Sequence, residues 1–202
     1  MQSVISSPSG FTHSSKSLLE SLPESLPGKI AVAVAASGLV AVCAHVSLPL
    51  PFTPVPLTLQ NFAVILVGMV LGPVAGFSAM VLYLAEGAMG MPVFTPQGPG
   101  GVAQLLGPTA GYLFSFPLAA ASAGWVVRAM RQIESRFTRG ILAASIATVF
   151  ILTLGAGWLG YLLHLGAGAT WHVGVAPFLL GEVIKVTAAA AIFSTMQRWR
   201  RS

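Results

Sequence analysis

The sequence predicts an all-α membrane protein with six transmembrane helices. Hydrophobic residues make up 55% of the 202-residue chain and charged residues only 7%, whereas soluble domains carry roughly 25% charged residues. Because so few charges cannot cover the surface of a soluble fold, the composition indicates a chain that lies in lipid. The apolar stretches have the length of membrane-spanning helices and lack the alternation of barrel strands.

The boundaries of the six helices follow from Gly, Pro and charged segments. Four prolines, at positions 49, 51, 54 and 56, exclude a regular helix there and predict a stiff extended loop. Pro73 opens the third span after almost no loop, so spans two and three should form a tight hairpin. The predicted spans are 29–46, 58–72, 73–87, 108–127, 140–163 and 177–197, and 92–107 and 164–174 are expected to be loops.

The basic residues predict the orientation. Nine of the ten Lys and Arg lie at or before the start of the first span, in 128–139 or at the C-terminus, and the tenth is Lys185. Because Lys and Arg accumulate in cytoplasmic loops, both termini should be cytoplasmic and the irregular Gly/Pro-rich loops should lie on the outer face. We expect a flexible cytoplasmic N-terminal tail (1–28), a transmembrane substrate-binding domain (29–197) and a basic cytoplasmic C-terminus (198–202). This distribution explains the net charge of +5 without nucleic acid.

Glu182 and Lys185 are the central candidates for a functional site. They lie three residues apart in a run that is otherwise uncharged from Val173 to Phe193, so on a helix they share one face. Ionisable residues inside a membrane are costly and usually functional. The alternative is an internal ion pair that neutralises itself while two helices pack.

Other polar residues should lie at the same level of the membrane. Glu182 and Lys185 would lie roughly 7 and 12 Å below the start of the sixth span, in the outer half of the membrane. A polar cavity roofed by Gly/Pro loops would satisfy these groups and suit a small, partly apolar solute with an anionic end. For Gln60 and Asn61, hydrogen bonding at a helix end explains the residues as well as a ligand contact does. The remaining candidates are Tyr83, Glu86, Gln97 and Gln104.

Small residues on the first span form a second candidate surface. Ala31, Ala35 and Gly38 fall on one face, and small side chains allow a partner helix to approach closely. An ordinary alanine-rich helix inside the bundle explains them equally well.

Motifs for other chemistry are absent from the sequence. There is no Walker-type loop, no Gly-x-Ser-x-Gly, no His-Glu-x-x-His and only one cysteine, Cys43. The histidines lack the spacing of metal ligands, so neither a metal nor a cofactor is predicted. An intramembrane enzyme with Glu86 or Glu182 as a base, and a structural scaffold, are less favoured alternatives.

Four motifs resemble the BioY family, the biotin-binding membrane (S) components of energy-coupling-factor (ECF) transporters. They are Pro-Phe-Thr-Pro-Val-Pro-Leu-Thr-Leu-Gln-Asn-Phe (51–62), Tyr-Leu-Ala-Glu-Gly-Ala-Met-Gly-Met-Pro-Val-Phe (83–94), Leu-Gly-Pro-Thr-Ala-Gly-Tyr (106–112) and Pro-Phe-Leu-Leu-Gly-Glu-Val-Ile-Lys (177–185). The similarity covers about residues 30 to 197, in the family's order. It implies a six-helix bundle in the bacterial inner membrane that binds biotin from outside, as a transported ligand and not a cofactor.

The resemblance also implies partners and roles. The partners would be a transmembrane coupling (T) protein and two ABC-type ATPases, with the small-residue face of the first span docking on the T protein. Lys185 and Glu182 match the family's Gly-Asp-x-x-Lys signature, with Glu in place of Asp. Lys185 would bind the biotin carboxylate, and Glu182 would accept from the ureido N–H groups or orient Lys185. Tyr83 and the loop 94–101 would cover the rings. An S component for another small anionic vitamin or metabolite is the alternative.

Overall fold

The computed structural model describes residues 25–199. In chain order the elements are α1 (Leu26–His45), β1 (Ser47–Leu48), β2 (Leu57–Thr58), α2 (Gln60–Leu71), α3 (Pro73–Ala88), α4 (Gly101–Leu106), α5 (Ala110–Ala129), α6 (Arg136–Leu162), α7 (Ala167–Gly174) and α8 (Leu179–Trp199). A 3-10 turn, Ala176–Phe178, leads into α8. The predictions for most of the N-terminal tail and for the last three residues lie outside the described part of the chain.

Each predicted span coincides with a helix, and the mostly helical fold is confirmed. Within residues 25–199, four helical stretches are long and apolar enough to cross a membrane: Leu26–His45, Ala110–Ala129, Arg136–Leu162 and Ala167–Arg198. α2 and α3 are apolar but contain only 12 and 16 residues, which corresponds to about 18 and 24 Å of helix. Six crossings therefore remain a prediction.

Three segments differ from the expected loops. α4 and α7 are short helices inside 92–107 and 164–174. α7 packs on α6, and tertiary packing of this kind stabilises helices too short to form alone. The proline-rich segment is the tip of a hairpin, because β1 and β2 pair antiparallel with Ser47 opposite Thr58.

α6 begins four residues before the predicted start, since the Ser135 Oγ caps it by accepting from the Thr138 N–H at 3.2 Å.

α2 is the central helix of the bundle. It packs against α1, α3, α5, α6 and α8, and Ala63, Val64 and Ile65 are fully buried. Its apolar residues therefore surround the helix, as expected for a helix enclosed by protein. α2 approaches α5 closely, because a Cβ added at Gly68 would come 2.2 Å from the carbonyl oxygen of Ala120. A larger residue at this position cannot fit.

Replacing Gly68 with Ala is expected to destabilise the bundle. The added methyl group meets backbone atoms, which cannot move aside as a side chain can, and overpacking of this kind costs about 1–3 kcal/mol or more. Thermal unfolding in detergent should show a lower midpoint than the wild type. Gly157→Ala is the matched control, because an added Cβ there meets nothing within 4 Å. Equal midpoints for the two variants would contradict this packing.

The bundle has two ends at which charged side chains lie close together. The β1–β2 hairpin joins the C-terminus of α1 to the N-terminus of α2. The N-terminus of α2 contacts the first turn of α8, where Asn61 donates to Glu182. We call this the Lys185 end. The arginine end is formed by the C-termini of α2, α5 and α8 and the N-terminus of α6, which line one cleft that includes Arg128 and Arg139.

Candidate binding site

A small, mostly apolar cavity lies at the Lys185 end, between α2, α5, α6, α8 and two loops. About 40 Å³ of it is open to water-sized molecules, enough for roughly three waters. An apolar enclosure with a few polar groups is the pattern of small-molecule sites, which usually hold about 300–1,000 Å³. The lining residues are Val55, Pro56, Thr58, Gln60, Asn61, Phe94, Thr95, Gln104, Thr109, Tyr112, Leu113, Phe116, Leu152, Phe178, Glu182 and Lys185.

Lys185 and Glu182 form a buried ion pair in the wall of this cavity. Lys185 Nζ lies 2.8 Å from Glu182 Oε1, and the two side chains are 7% and 4% exposed. Asn61 Nδ2 donates to the same Oε1 at 2.8 Å. Glu182 Oε2 is buried and has no hydrogen-bond partner within residues 25–199. The ammonium group has three N–H donors, so the pair retains both donor and acceptor capacity toward a ligand.

Gln60 and Tyr83 connect α2, α3 and the loop after α3. Gln60 Nε2 donates to the Tyr83 hydroxyl at 2.6 Å, and that hydroxyl donates to the Val93 carbonyl oxygen at 2.8 Å. The Tyr83 ring packs edge-on against Phe94, with centroids 5.5 Å apart. Gln60 and Phe94 line the cavity, whereas Tyr83 lies outside the lining. Tyr83 therefore holds in place the loop that covers the cavity.

The two glutamines of the covering segment have different positions. Gln104 is buried, lines the cavity and donates to the Thr109 hydroxyl at 2.7 Å. Gln97 is exposed, and its Oε1 accepts from Ser47 Oγ and Thr95 Oγ1, each at 2.5 Å. Because Ser47 belongs to β1, Gln97 connects the loop after α3 to the hairpin. It does not line the cavity.

Glu86 also lies away from the cavity. Its carboxylate accepts a hydrogen bond from Ser37 Oγ, which connects α3 to α1. A ligand contact by Glu86 would therefore require a rearrangement, whereas Gln97 lines an adjoining pocket of about 220 Å³ that shares four lining residues with the cavity. The structure places Gln60, Gln104, Glu182 and Lys185 together at the cavity, with Tyr83 directly behind its lining.

The three small residues of α1 are on the surface of the bundle. Ala31, Ala35 and Gly38 are exposed, and a Cβ added at Gly38 would meet nothing within 4 Å. These positions are thus not filled by packing inside the bundle, which was the alternative explanation. Docking on a partner remains a prediction.

The sequence analysis did not identify several aromatic residues of the site. Tyr112, Phe116 and Phe178 line the cavity, and the Tyr112 hydroxyl donates to the Gly174 carbonyl oxygen at 2.6 Å. Tyr112 belongs to a motif that carries the family resemblance, which is the one signal that pointed to it. An aromatic side chain in an apolar run cannot otherwise be told from the core.

Comparisons with known proteins agree with this architecture. A model of the BioY family matches residues 15–202. The biotin transporter BioY of Thermotoga maritima is 38% identical over 77% of this chain and 88% of its own length. The biotin transporter BioY of Rhodobacter capsulatus is 34% identical over 77% of this chain and 85% of its own length.

A solved structure shares the fold. It is the S-component for biotin from an ECF-type ABC transporter, with a TM-score of 0.77 and 23% sequence identity, covering 84% of this chain and 90% of that chain. The family match and the two relatives confirm the resemblance carried by the four motifs. This chain belongs to the BioY family.

Proposed function

We propose that this chain is the substrate-binding subunit of an ECF-type biotin transporter and captures biotin at the outer face of the membrane. The observation that carries the proposal is Lys185, a buried cation in the wall of an otherwise mostly apolar cavity, in a family whose relatives are named biotin transporters. Those relatives also favour transport over an intramembrane enzyme. No metal or cofactor is part of the proposal.

Biotin combines an anionic carboxylate with an apolar bicyclic ring, and the cavity offers a partner for each. The Lys185 ammonium would bind the carboxylate through the N–H donors that Glu182 leaves open, since a charge-assisted hydrogen bond is stronger than a neutral one. Phe94, Phe116 and Phe178 would enclose the ring system. The cavity thus provides a cation for one end of the ligand and an apolar enclosure for the other.

The geometry favours the second of the two roles considered for Glu182. The carboxylate and the ureido group lie at opposite ends of biotin, whereas Glu182 Oε1 is 2.8 Å from Lys185 Nζ. One residue pair this close is poorly placed to contact both ends at once. Glu182 would therefore orient Lys185, and Asn61, by donating to Oε1, would hold that carboxylate in place.

Binding requires the cavity to enlarge. About 40 Å³ is open at present, far less than the ~300 Å³ at the lower limit of small-molecule sites. Val55 and Pro56 of the hairpin and Phe94 and Thr95 of the following loop line the cavity. We propose that these two segments separate when biotin enters and then close over its rings.

The proposed topology has six crossings, with both termini in the cytoplasm of a bacterial cell and the chain as a multi-pass inner-membrane protein. The arginines of 128–139 line the cleft of the arginine end, Arg198 lies near the C-terminus of α8, and Lys29 lies in the first turn of α1, at the terminus away from the hairpin. Among the described residues, Lys185 is the one Lys or Arg at the opposite end. That asymmetry supports a cytoplasmic arginine end.

The short α2 and α3 would cross with local thinning of the bilayer. The domain division at residues 28 and 198 belongs to the same proposal.

Retention of labelled biotin by the purified chain tests the function. We expect one biotin per chain after equilibrium dialysis, displaced by unlabelled biotin and not by other anionic vitamins such as pantothenate or nicotinate. Mass spectrometry of the ligand that co-purifies should identify biotin independently. Displacement by another vitamin at lower concentration would favour the alternative substrate, and absence of any retained ligand would contradict the binding role.

The proposed partners are a T protein and two ABC-type ATPases, with Ala31, Ala35 and Gly38 as the surface that contacts the T protein. Gly38→Leu should reduce co-purification with the T protein by at least about tenfold, because one interfacial steric conflict costs 1.4 kcal/mol or more. Biotin retention should be unchanged. Gly157→Leu is the control, since both glycines have open space around an added Cβ. Equal co-purification of both variants would exclude this surface as the docking site.

A further inference from the structure

A polar cleft at the arginine end has no role in the proposed biotin site. Its volume is about 550 Å³, and its walls are the C-termini of α2, α5 and α8, the segment after α5 and the first turn of α6. Four arginines line it, against one carboxylate, Glu134. The full lining is Met69, Val70, Leu71, Gly72, Gly124, Val127, Arg128, Arg131, Ile133, Glu134, Arg136, Arg139 and Gln197.

No carboxylate of the described residues forms an ion pair with the arginines of this cleft. In that part of the chain none of the four guanidinium groups has a carboxylate oxygen within 4.0 Å. Arg139 Nε is buried and has no hydrogen-bond partner there. Buried donors in proteins are nearly always paired, so this nitrogen is open to an acceptor such as a water or a bound anion.

The N-terminus of α6 adds partial positive charge to the same cleft. Arg136 and Arg139 lie in the first turn of a 27-residue helix that has no acidic residue in that turn. The N-terminus of a helix carries partial positive charge, so cations there are unfavourable and anions are favourable. Two arginines at this position are therefore unexplained by helix stability. An anion held between the arginines and the helix start would offset this cost.

An apolar groove adjoins the cleft. It lies along α1, α2 and α8, has a volume of about 290 Å³ and is lined by Val32, Ala35, Ala36, Leu39, Leu66, Val67, Val70, Leu71 and Met196. Val70 and Leu71 line both the groove and the cleft, and Met196 of the groove precedes Gln197 of the cleft. A molecule with an anionic head and an apolar tail can therefore occupy both at once.

We propose that the cleft and the groove together bind one anionic phospholipid. The headgroup phosphate lies among Arg128, Arg136 and Arg139, whose guanidinium groups match phosphate oxygens in pairs. One acyl chain passes Val70 and Leu71 into the groove. A soluble phosphate would use the arginines alone and would leave the continuous groove empty, so the joined shape favours the lipid.

Native mass spectrometry of the delipidated full-length chain tests this site. Phosphatidylglycerol and phosphatidylcholine with identical acyl chains are added in parallel, and inorganic phosphate is titrated against each. We expect phosphatidylglycerol to be retained at least tenfold better than phosphatidylcholine, and equimolar inorganic phosphate not to displace it. Phosphatidylglycerol with shortened acyl chains should be retained less well, because it loses contact with the groove.

Substitutions of the arginines test whether the preference for phosphatidylglycerol depends on the cleft. Arg136→Gln combined with Arg139→Gln should abolish the preference for phosphatidylglycerol, whereas Arg198→Gln should preserve it, since Arg198 is exposed and outside the cleft lining. Arg128→Gln, on a different helix, should also reduce the preference for phosphatidylglycerol. This variant replaces the double variant in the test if circular dichroism and gel filtration show that the double variant does not fold. A preference that survives in the Arg128 and double variants, or its absence in the wild type, would overturn the site. Displacement by equimolar phosphate would overturn the lipid as its occupant.

Discussion

Lys185→Met is expected to reduce biotin affinity by about 30- to 4,000-fold, because truncating one side of a buried charged pair costs about 2–5 kcal/mol. Methionine keeps the length and apolar stem of lysine but removes the cation that we assign to the ligand carboxylate. Equilibrium dialysis with labelled biotin measures the change.

The matched control is Lys29→Met, which removes the same charge from an exposed position in the first turn of α1. It should leave biotin affinity within about twofold of the wild type, in keeping with the small effects of most surface substitutions. Full retention of biotin by Lys185→Met would remove this residue from the site, and would leave the family membership untouched.

Glu182→Ala is expected to lower the free energy of unfolding by about 3–5 kcal/mol, because it leaves the Lys185 ammonium buried without its partner. The Asn61 amide also loses the oxygen to which it donates. Chemical or thermal unfolding in detergent measures the loss. Glu182→Asp, which restores the acid of the family signature, should cost less.

The double variant Glu182→Gln, Lys185→Met separates stability from binding. With neither charge present, no ion is left unpaired, and a buried pair replaced by neutral residues is often neutral or stabilising. We expect unfolding close to that of the wild type, with biotin retention still lost. If the double variant were as unstable as Glu182→Ala, the ion pair would not be the cause of the destabilisation.

The helices were predictable because they depend on local pattern, and part of the site was predictable for the same reason. Glu182 and Lys185 share a helical face by spacing alone, and the structure places them 2.8 Å apart. Asn61 and Glu182 are 121 residues apart in sequence. Their contact depends on how α2 packs on α8, which no spacing rule encodes.

Other features were missed for related reasons. α4 and α7 have only six and eight residues, so their helical state depends on packing against neighbouring elements more than on propensity. Glu86 was grouped with the site because it shares a level with Lys185, but level does not specify direction. On α3 its side chain turns toward Ser37 of α1. The direction of a side chain on its helix thus could not be predicted from its expected depth.

The contact between Gly68 and Ala120 limits how this molecule can move. Because a Cβ added at Gly68 would lie 2.2 Å from the carbonyl oxygen of Ala120, the backbones of α2 and α5 pack in direct contact, and we expect these two helices to move together. α2 carries Asn61 at one end and Gly72 at the other. We therefore expect a displacement of α2 at the cavity to be transmitted to the opposite end of the bundle.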